Sequence, residues 1–266
     1  LSRVRCIMSS EDDLVFKLAD EVGVITFNRA HARNALTFEM YDGLADICQQ
    51  IHEQAISIKA LIITGAGDKA FAAGTDISRF KDFRTADDAL GYERRMDHVL
   101  GSLESLPIPT IAAIRGACTG GGAAIAACCD LRVAARDMKY GFPIARTLGN
   151  CLSLGNLSRL IELLGANRTR EIILTSRLIE IDEALSIALV NECVNDPLVR
   201  AHELCALLKN QAPLTIAASK EGLRRLREHA ANVQGDDLVV QCYTSEDFRE
   251  GMDAFLAKRK PQWTGK

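Results

Sequence analysis

Residues 109–130 read PTIAAIRGACTGGGAAIAACCD. Thr110 to Ile114 is a short apolar run bounded by Pro109 and Gly116, which reads as a buried strand. Gly120, Gly121 and Gly122 follow. Ala123 to Cys129 is small or apolar throughout, as in a buried helix. A helix that begins at a glycine triplet turns unpaired N–H groups and its positive dipole end toward that loop. Glycine also lets another group come within bonding distance of the backbone. The loop therefore suits a developing negative charge, such as an oxyanion or a phosphate. It equally suits tight packing of helix on strand. No GxGxxG or GK[ST] pattern is present, so neither a dinucleotide fingerprint nor a phosphate loop is indicated.

Upstream, Leu14 to Ala19 and Val22 to Asn28 read as a hairpin turning at Asp20-Glu21. Thr37 to Ala55 is a helix with Thr37 or Asn34 as cap, and Lys59 to Thr64 a buried strand. Ala70 to Asp76, AFAAGTD, reads as a small-residue loop. Ala86 to Leu106 is an amphipathic helix stopped by Pro107 and Pro109. Downstream, Leu131 to Ala135 is a further strand. This alternation is α/β layering. After Pro143 the texture turns helical, with segments beginning at Ser153, Asn167, Asp182, Pro197, Thr215, Asp237 and Ser245. Val190 to Val194 is one strand-like exception. The expected organisation is a tail over 1–13, an α/β core over 14–196 and a helical region over 197–266.

The chain has 266 residues and a net charge of −3. That charge gives no electrostatic case for nucleic acid or a membrane surface. No apolar run nears the roughly 20 residues needed to cross a bilayer. The nine cysteines include no CxxC pair, so a metal cluster is not expected. Their odd number, with no secretory signal in LSRVRCIMSSEDD, predicts free thiols in a reducing cytoplasm.

Five segments together carry a resemblance: NRAHARNAL (28–36), KAFAAGTDI (69–77), IPTIAAIRGACTGGG (108–122), ACCDLRVAA (127–135) and SEDFREGMDAFLAKRKPQW (245–263). In this order the chain resembles the crotonase superfamily, the enoyl-CoA hydratases and isomerases. The resemblance implies a spiral of ββα units followed by helices that build homo-trimers or hexamers. It implies an acyl-CoA thioester as substrate, with coenzyme A arriving as part of it and no tightly bound cofactor. It also implies an oxyanion hole made by the backbone N–H groups of Thr75 and Gly121. That agrees with the physical reading of the glycine loop.

The chain departs from the family pattern where hydratases carry two glutamates. Ala124 and Ile144 hold those slots, and neither side chain can move a proton. Asp76, Arg146 and Asn150 are candidate replacements. Asp76 reads more readily as a helix cap, and Arg146 as a surface arginine. Cys151 could be a nucleophile but reads first as a buried thiol, His98 as a solvated side chain and Tyr140 as packing, while Thr119 reads equally as a ligand-binding or a loop-stabilising hydroxyl. For coenzyme A, the resemblance points to Arg29, Lys69, Ala70, Ala72 and Gly74, with Phe255 and Lys258 from the C-terminal helix. Two functions follow: an enzyme acting on an acyl-CoA, or a non-catalytic acyl-CoA-binding paralogue or partner subunit.

Overall fold

The computed structural model describes residues 5–6, 12–230 and 236–264, so most of the expected tail lies outside the described residues. β1 (Arg5–Cys6), β2 (Leu14–Ala19) and β3 (Val22–Phe27) lead to α1 (Phe38–His52), β4 (Ala60–Gly65), β5 (Ala70–Ala72) and α2 (Ala86–Glu104). Next come β6 (Thr110–Ile114), β7 (Ala117–Thr119), α3 (Gly121–Cys128), β8 (Leu131–Ala134), β9 (Lys139–Gly141) and α4 (Ile144–Thr147). The remainder is α5 (Leu154–Thr175), β10 (Ile179–Glu180), α6 (Ile181–Ser186), β11 (Glu192–Cys193), α7 (Pro197–Leu208), α8 (Pro213–Ala230), α9 (Asp236–Tyr243) and α10 (Glu246–Leu256).

Two sheets carry the architecture. The larger has the order β1-β2-β3-β4-β6-β8-β11 and the smaller β10-β9-β7-β5. From β3 through β11 the larger sheet is parallel, as are β5, β7 and β9 in the smaller. The chain therefore repeats one unit three times: a strand in the large sheet, a short strand in the small sheet, then a helix. The bends between sheets need a compact backbone. Gly116, between β6 and β7, has φ +62, and a Cβ there would lie 2.2 Å from the Lys69 carbonyl oxygen. A side chain would be strained and would collide.

The β4 run ALII is fully buried, because a parallel strand covered on both faces has no polar side. One face packs on α1, α2 and α3 through Leu44, Leu61, Ile63 and Leu103. The other is covered by α7, whose Ala201 and Cys205 join Ala60, Ile62 and Ile111. Phe248 and Met252 of α10 and Tyr243 of α9 close a third cluster over Phe80 and Ala89. Thr37 caps α1 by accepting from the Met40 N–H at 3.2 Å. Asn34 does not cap the helix. It is buried and left-handed at φ 54, and its amide donates to the Ala66 and Ala70 carbonyls.

One sequence expectation changes. Ala70 to Ala72 is a strand rather than a loop, since its backbone pairs with β7. The helices read from Ser153 and from Asn167 are both present, as the two runs that α5 spans. Its break is at Gly165, φ 74 and ψ 155, which falls between them.

Candidate active site

A cavity of about 160 Å³ opens where β5, β7 and β9 end. The loop after each strand supplies part of its wall: Ala73–Thr75, Gly120–Gly121 and Phe142–Ile144. Ligand sites of parallel sheets sit at the carboxyl ends of their strands.

The Thr75 loop is fixed by α1's approach. The Leu36 N–H donates to the Gly74 carbonyl at 2.9 Å, and the Asp76 N–H donates to the Leu36 carbonyl at 2.8 Å. The Thr75 N–H takes no part in that bridge. Its hydroxyl sits between two phenols, 2.9 Å from Tyr41 and 3.0 Å from Tyr92. Burial pushes both phenols well above the usual tyrosine range, so at neutral pH they are uncharged hydrogen-bonding groups. Gly121 is the first residue of α3, where the N–H has no partner within the helix. A Cβ at Gly121 would lie 1.9 Å from the Tyr41 hydroxyl and 3.2 Å from the Thr75 hydroxyl. The two segments thus meet at one rim of the cavity.

Gly74, Thr75, Gly121, Ala124, Ile144, Asn150 and Phe255 all line this cavity, as do Thr119 and Cys151. Ala124 is 7% exposed and Ile144 9%, each an aliphatic surface on the wall. Asn150 donates from Nδ2 to the Tyr243 hydroxyl at 3.2 Å. Its buried Oδ1 has no hydrogen-bond partner among the described residues.

The structure takes the other candidates elsewhere. Asp76 caps the 3-10 turn Ile77–Asp82 through the Ser78 N–H and pairs with Arg29 at 3.0 Å. Burial works against its charge, but the Ser78 N–H and the Arg29 guanidinium hold the carboxyl below the usual carboxylate range. It is a cap, not a cavity group. Arg29 also binds Asp13 at 3.2 Å and donates to the Ala35 carbonyl. Arg146 is exposed and outside the cavity wall. Ala72 is buried, its carbonyl oxygen 2.4 Å from where a Gly122 Cβ would stand; its smallness seats α3. Lys69 and Ala70 line a separate surface groove with Ala30, Arg33 and Gly67. Lys258 and His98 are exposed. Tyr140 is packed in β9 and donates to the Ala123 carbonyl at 3.2 Å.

Sequence reasoning missed Glu93, the one carboxyl on the cavity wall among the described residues. It projects from α2 and is 7% exposed. Its Oε1 accepts from the Tyr243 hydroxyl at 2.6 Å. Burial pushes Glu93 up to about 7; the Tyr243 hydrogen bond opposes that rise and the Asp97 charge adds to it. Nothing in the local sequence, GYERRMDH, separates this glutamate from a solvated one.

The ββα spiral followed by helices is the crotonase-like architecture, and known proteins share it. The chain belongs to the enoyl-CoA hydratase/isomerase family, whose model matches residues 17–266. It is 32% identical over 259 residues to the short-chain-enoyl-CoA hydratase of Clostridium acetobutylicum, covering 94% of this chain and 96% of that one. An enoyl-CoA hydratase/carnithine racemase from Magnetospirillum magneticum superposes with a TM-score of 0.78 at 33% identity, over 98% of this chain and 97% of that one. A methylmalonyl-CoA decarboxylase in complex with 2-nitronate-propionyl-CoA superposes with a TM-score of 0.82 at 27% identity, over 99% and 98%.

Proposed function

We propose that this protein is an enzyme acting on an acyl-CoA thioester, and that it works by holding the thioester oxygen as charge accumulates on it. The observation that carries this reading is the meeting of the Thr75 and Gly121 backbone segments at one cavity rim, where neither N–H donates to another backbone carbonyl among the described residues. Forming an enolate puts charge on the thioester oxygen. Fixed N–H donors aimed at that oxygen are worth about 3–4 kcal/mol each. The Tyr41–Thr75–Tyr92 hydroxyl chain holds the first donor still. The decarboxylase of the same fold, solved in complex with 2-nitronate-propionyl-CoA, supports a CoA thioester as the ligand.

Coenzyme A enters as part of the substrate, with no tightly held cofactor. Its nucleotide end is assigned to the groove lined by Arg33, Asp68, Lys69 and Ala70, with Phe255 at the acyl cavity and Lys258 as a further contact. Arg29 supports this side indirectly, through Asp13 and Asp76. A trimer or hexamer in the cytoplasm is the expected working form.

Ala124 and Ile144 make two-glutamate water addition the wrong mechanism for this cavity. They also favour a second reading, a non-catalytic acyl-CoA-binding subunit. Titration calorimetry tests the main one, comparing butyryl-CoA with its thioether analogue, which lacks the carbonyl. Tighter binding of the thioester is expected; equal affinities would sink the oxyanion reading. A spectrophotometric assay should find crotonyl-CoA hydration far below the usual enzyme range of about 1–10³ per second. Ala124→Glu with Ile144→Glu should raise it. Turnover of a CoA ester by the purified protein would remove the case for the non-catalytic reading.

A further inference from the structure

Glu93 is buried in the cavity wall with no balancing positive charge among the described residues. No described Lys, Arg or His makes an ion pair with it. Its partners are hydrogen-bond donors: Tyr243 at 2.6 Å and the Ser153 backbone. Tyr243 is itself held by the Asn150 amide at 3.2 Å. So a relay of donors runs from Asn150 through Tyr243 to the carboxyl, supporting its ionised form. A glutamine here would accept the same hydrogen bonds without the cost of burying an ionisable group. What glutamate adds is the ability to take and return a proton. The neighbouring side chain on α2, Tyr92, touches Thr75. One helix therefore bears on the oxyanion loop and lines the same cavity with a carboxyl.

We propose that Glu93 is the catalytic proton-transfer residue of this cavity, standing in from α2 for the carboxylates absent at Ala124 and Ile144. The proposal rests on the thioester reading above. The ionised carboxyl takes a proton from the carbon next to the thioester carbonyl. The C–H electron pair becomes the enolate double bond, and the carbonyl π pair moves onto the oxygen facing Thr75 and Gly121. Glu93, now protonated, returns the proton to the same carbon. With a β,γ-unsaturated thioester it returns the proton to the γ carbon instead, and the double bond ends conjugated with the carbonyl. Electrons and atoms balance with no co-reactant. One carboxyl suffices for such a shift, whereas adding water calls for a second group to position and activate it. An acid that is half ionised near neutral pH serves both directions.

The groups facing Glu93 are Tyr243 on α9, Tyr41 on α1, Cys151 before α5, and Asp97 and Tyr92 on α2 itself. Of these, Asp97 bears on Glu93 electrostatically and raises it; its carboxyl accepts from the Ser153 hydroxyl at 2.8 Å. Exchange should therefore rise with pH as Glu93 ionises, with a midpoint near 7.

The experiment is deuterium uptake from D2O into butyryl-CoA, read by mass spectrometry on the full-length protein, with binding followed by calorimetry. The unmodified protein should exchange the C2 protons. Glu93→Gln should bind butyryl-CoA and slow exchange at least about 100-fold, and Glu93→Asp should recover part of the rate. Tyr243→Phe removes a hydrogen bond to the carboxylate and should move the midpoint upward. Wild-type exchange rates in Glu93→Gln would overturn the proposal. Should that variant not fold, an unmoved midpoint in Tyr243→Phe would do the same. A protein that binds butyryl-CoA through its carbonyl but exchanges nothing defeats Glu93 and leaves the oxyanion reading standing. One that does not bind butyryl-CoA defeats both.

Discussion

Gly121 has no room for a methyl group, because a Cβ would stand 1.9 Å from the Tyr41 hydroxyl. Gly121→Ala should therefore push Tyr41 off Thr75 and misalign both amides. A loss of about 100-fold in thioester turnover is expected, the usual effect of losing one oxyanion donor. Adding Tyr41→Phe removes the clashing oxygen, so the double variant should regain melting temperature but not activity, since Thr75 still lacks one of its phenols. Glu93 sets a pH dependence of folding. Its folded value is raised from 4.5 to about 7, so the folded state holds the proton more tightly. That contribution is present below about pH 4.5 and is lost as pH rises through 7. A rise of that size corresponds to stability on the order of 3 kcal/mol. Urea melts at pH 5 and pH 8 should show Glu93→Gln narrowing the difference between them; an unchanged difference would mean that Glu93 is not destabilised by burial. Glu93 was illegible in the sequence for a physical reason. Its burial depends on Tyr243, 150 residues away, and a helix segment with charges on both sides reads as solvated. Thr75 and Gly121 came from the resemblance, and the structure brings both to one cavity wall; their work as donors belongs to the proposed function.

The same helix that carries Glu93 ends at Glu104, which joins Arg159 of α5 and Arg227 of α8. The three side chains are 16%, 9% and 8% exposed. Removing one partner of a buried pair leaves the others uncompensated, at about 3–5 kcal/mol. Glu104→Ala should lower stability by that order in denaturant melts, and more than Glu104→Gln, which can still accept hydrogen bonds. The long elements were readable. α1, α2, β4 and β6 have periods or apolar runs long enough to identify. The small-sheet strands were not: β5, β7 and β9 are three residues each, too short for alternation to register, and they form by pairing with one another across residues far apart in the chain.

At the scale of the whole molecule, the C-terminal helices keep apolar side chains in solvent. Leu214, Leu223 and Leu226 of α8 are 84%, 61% and 74% exposed, and Leu174 of α5 is 78% exposed. A chain that can bury Phe248 and Met252 on its own has little reason to leave four leucines outside unless another copy covers them. Light scattering should find a trimer or hexamer at micromolar concentration. Leu223→Glu with Leu226→Glu should shift it toward monomer; a monomeric unmodified protein would refute the expectation. The helical continuation after Pro143 was visible in the sequence, but not that α7 would cover the large sheet, since that contact joins residues far apart in the chain. The threefold ββα repetition has a further consequence. Successive turns of the spiral contribute equivalent loops to one cavity, and the first two, at Thr75 and Gly121, are those to which the proposed function assigns the carbonyl. The third, at Phe142 to Ile144, is given no share in that role. Glu93, the proposed proton carrier, rides on the helix of the first turn, so hold and proton transfer share the first two turns of the thread, and the third loop can be rewritten to change which acyl group is admitted without disturbing either.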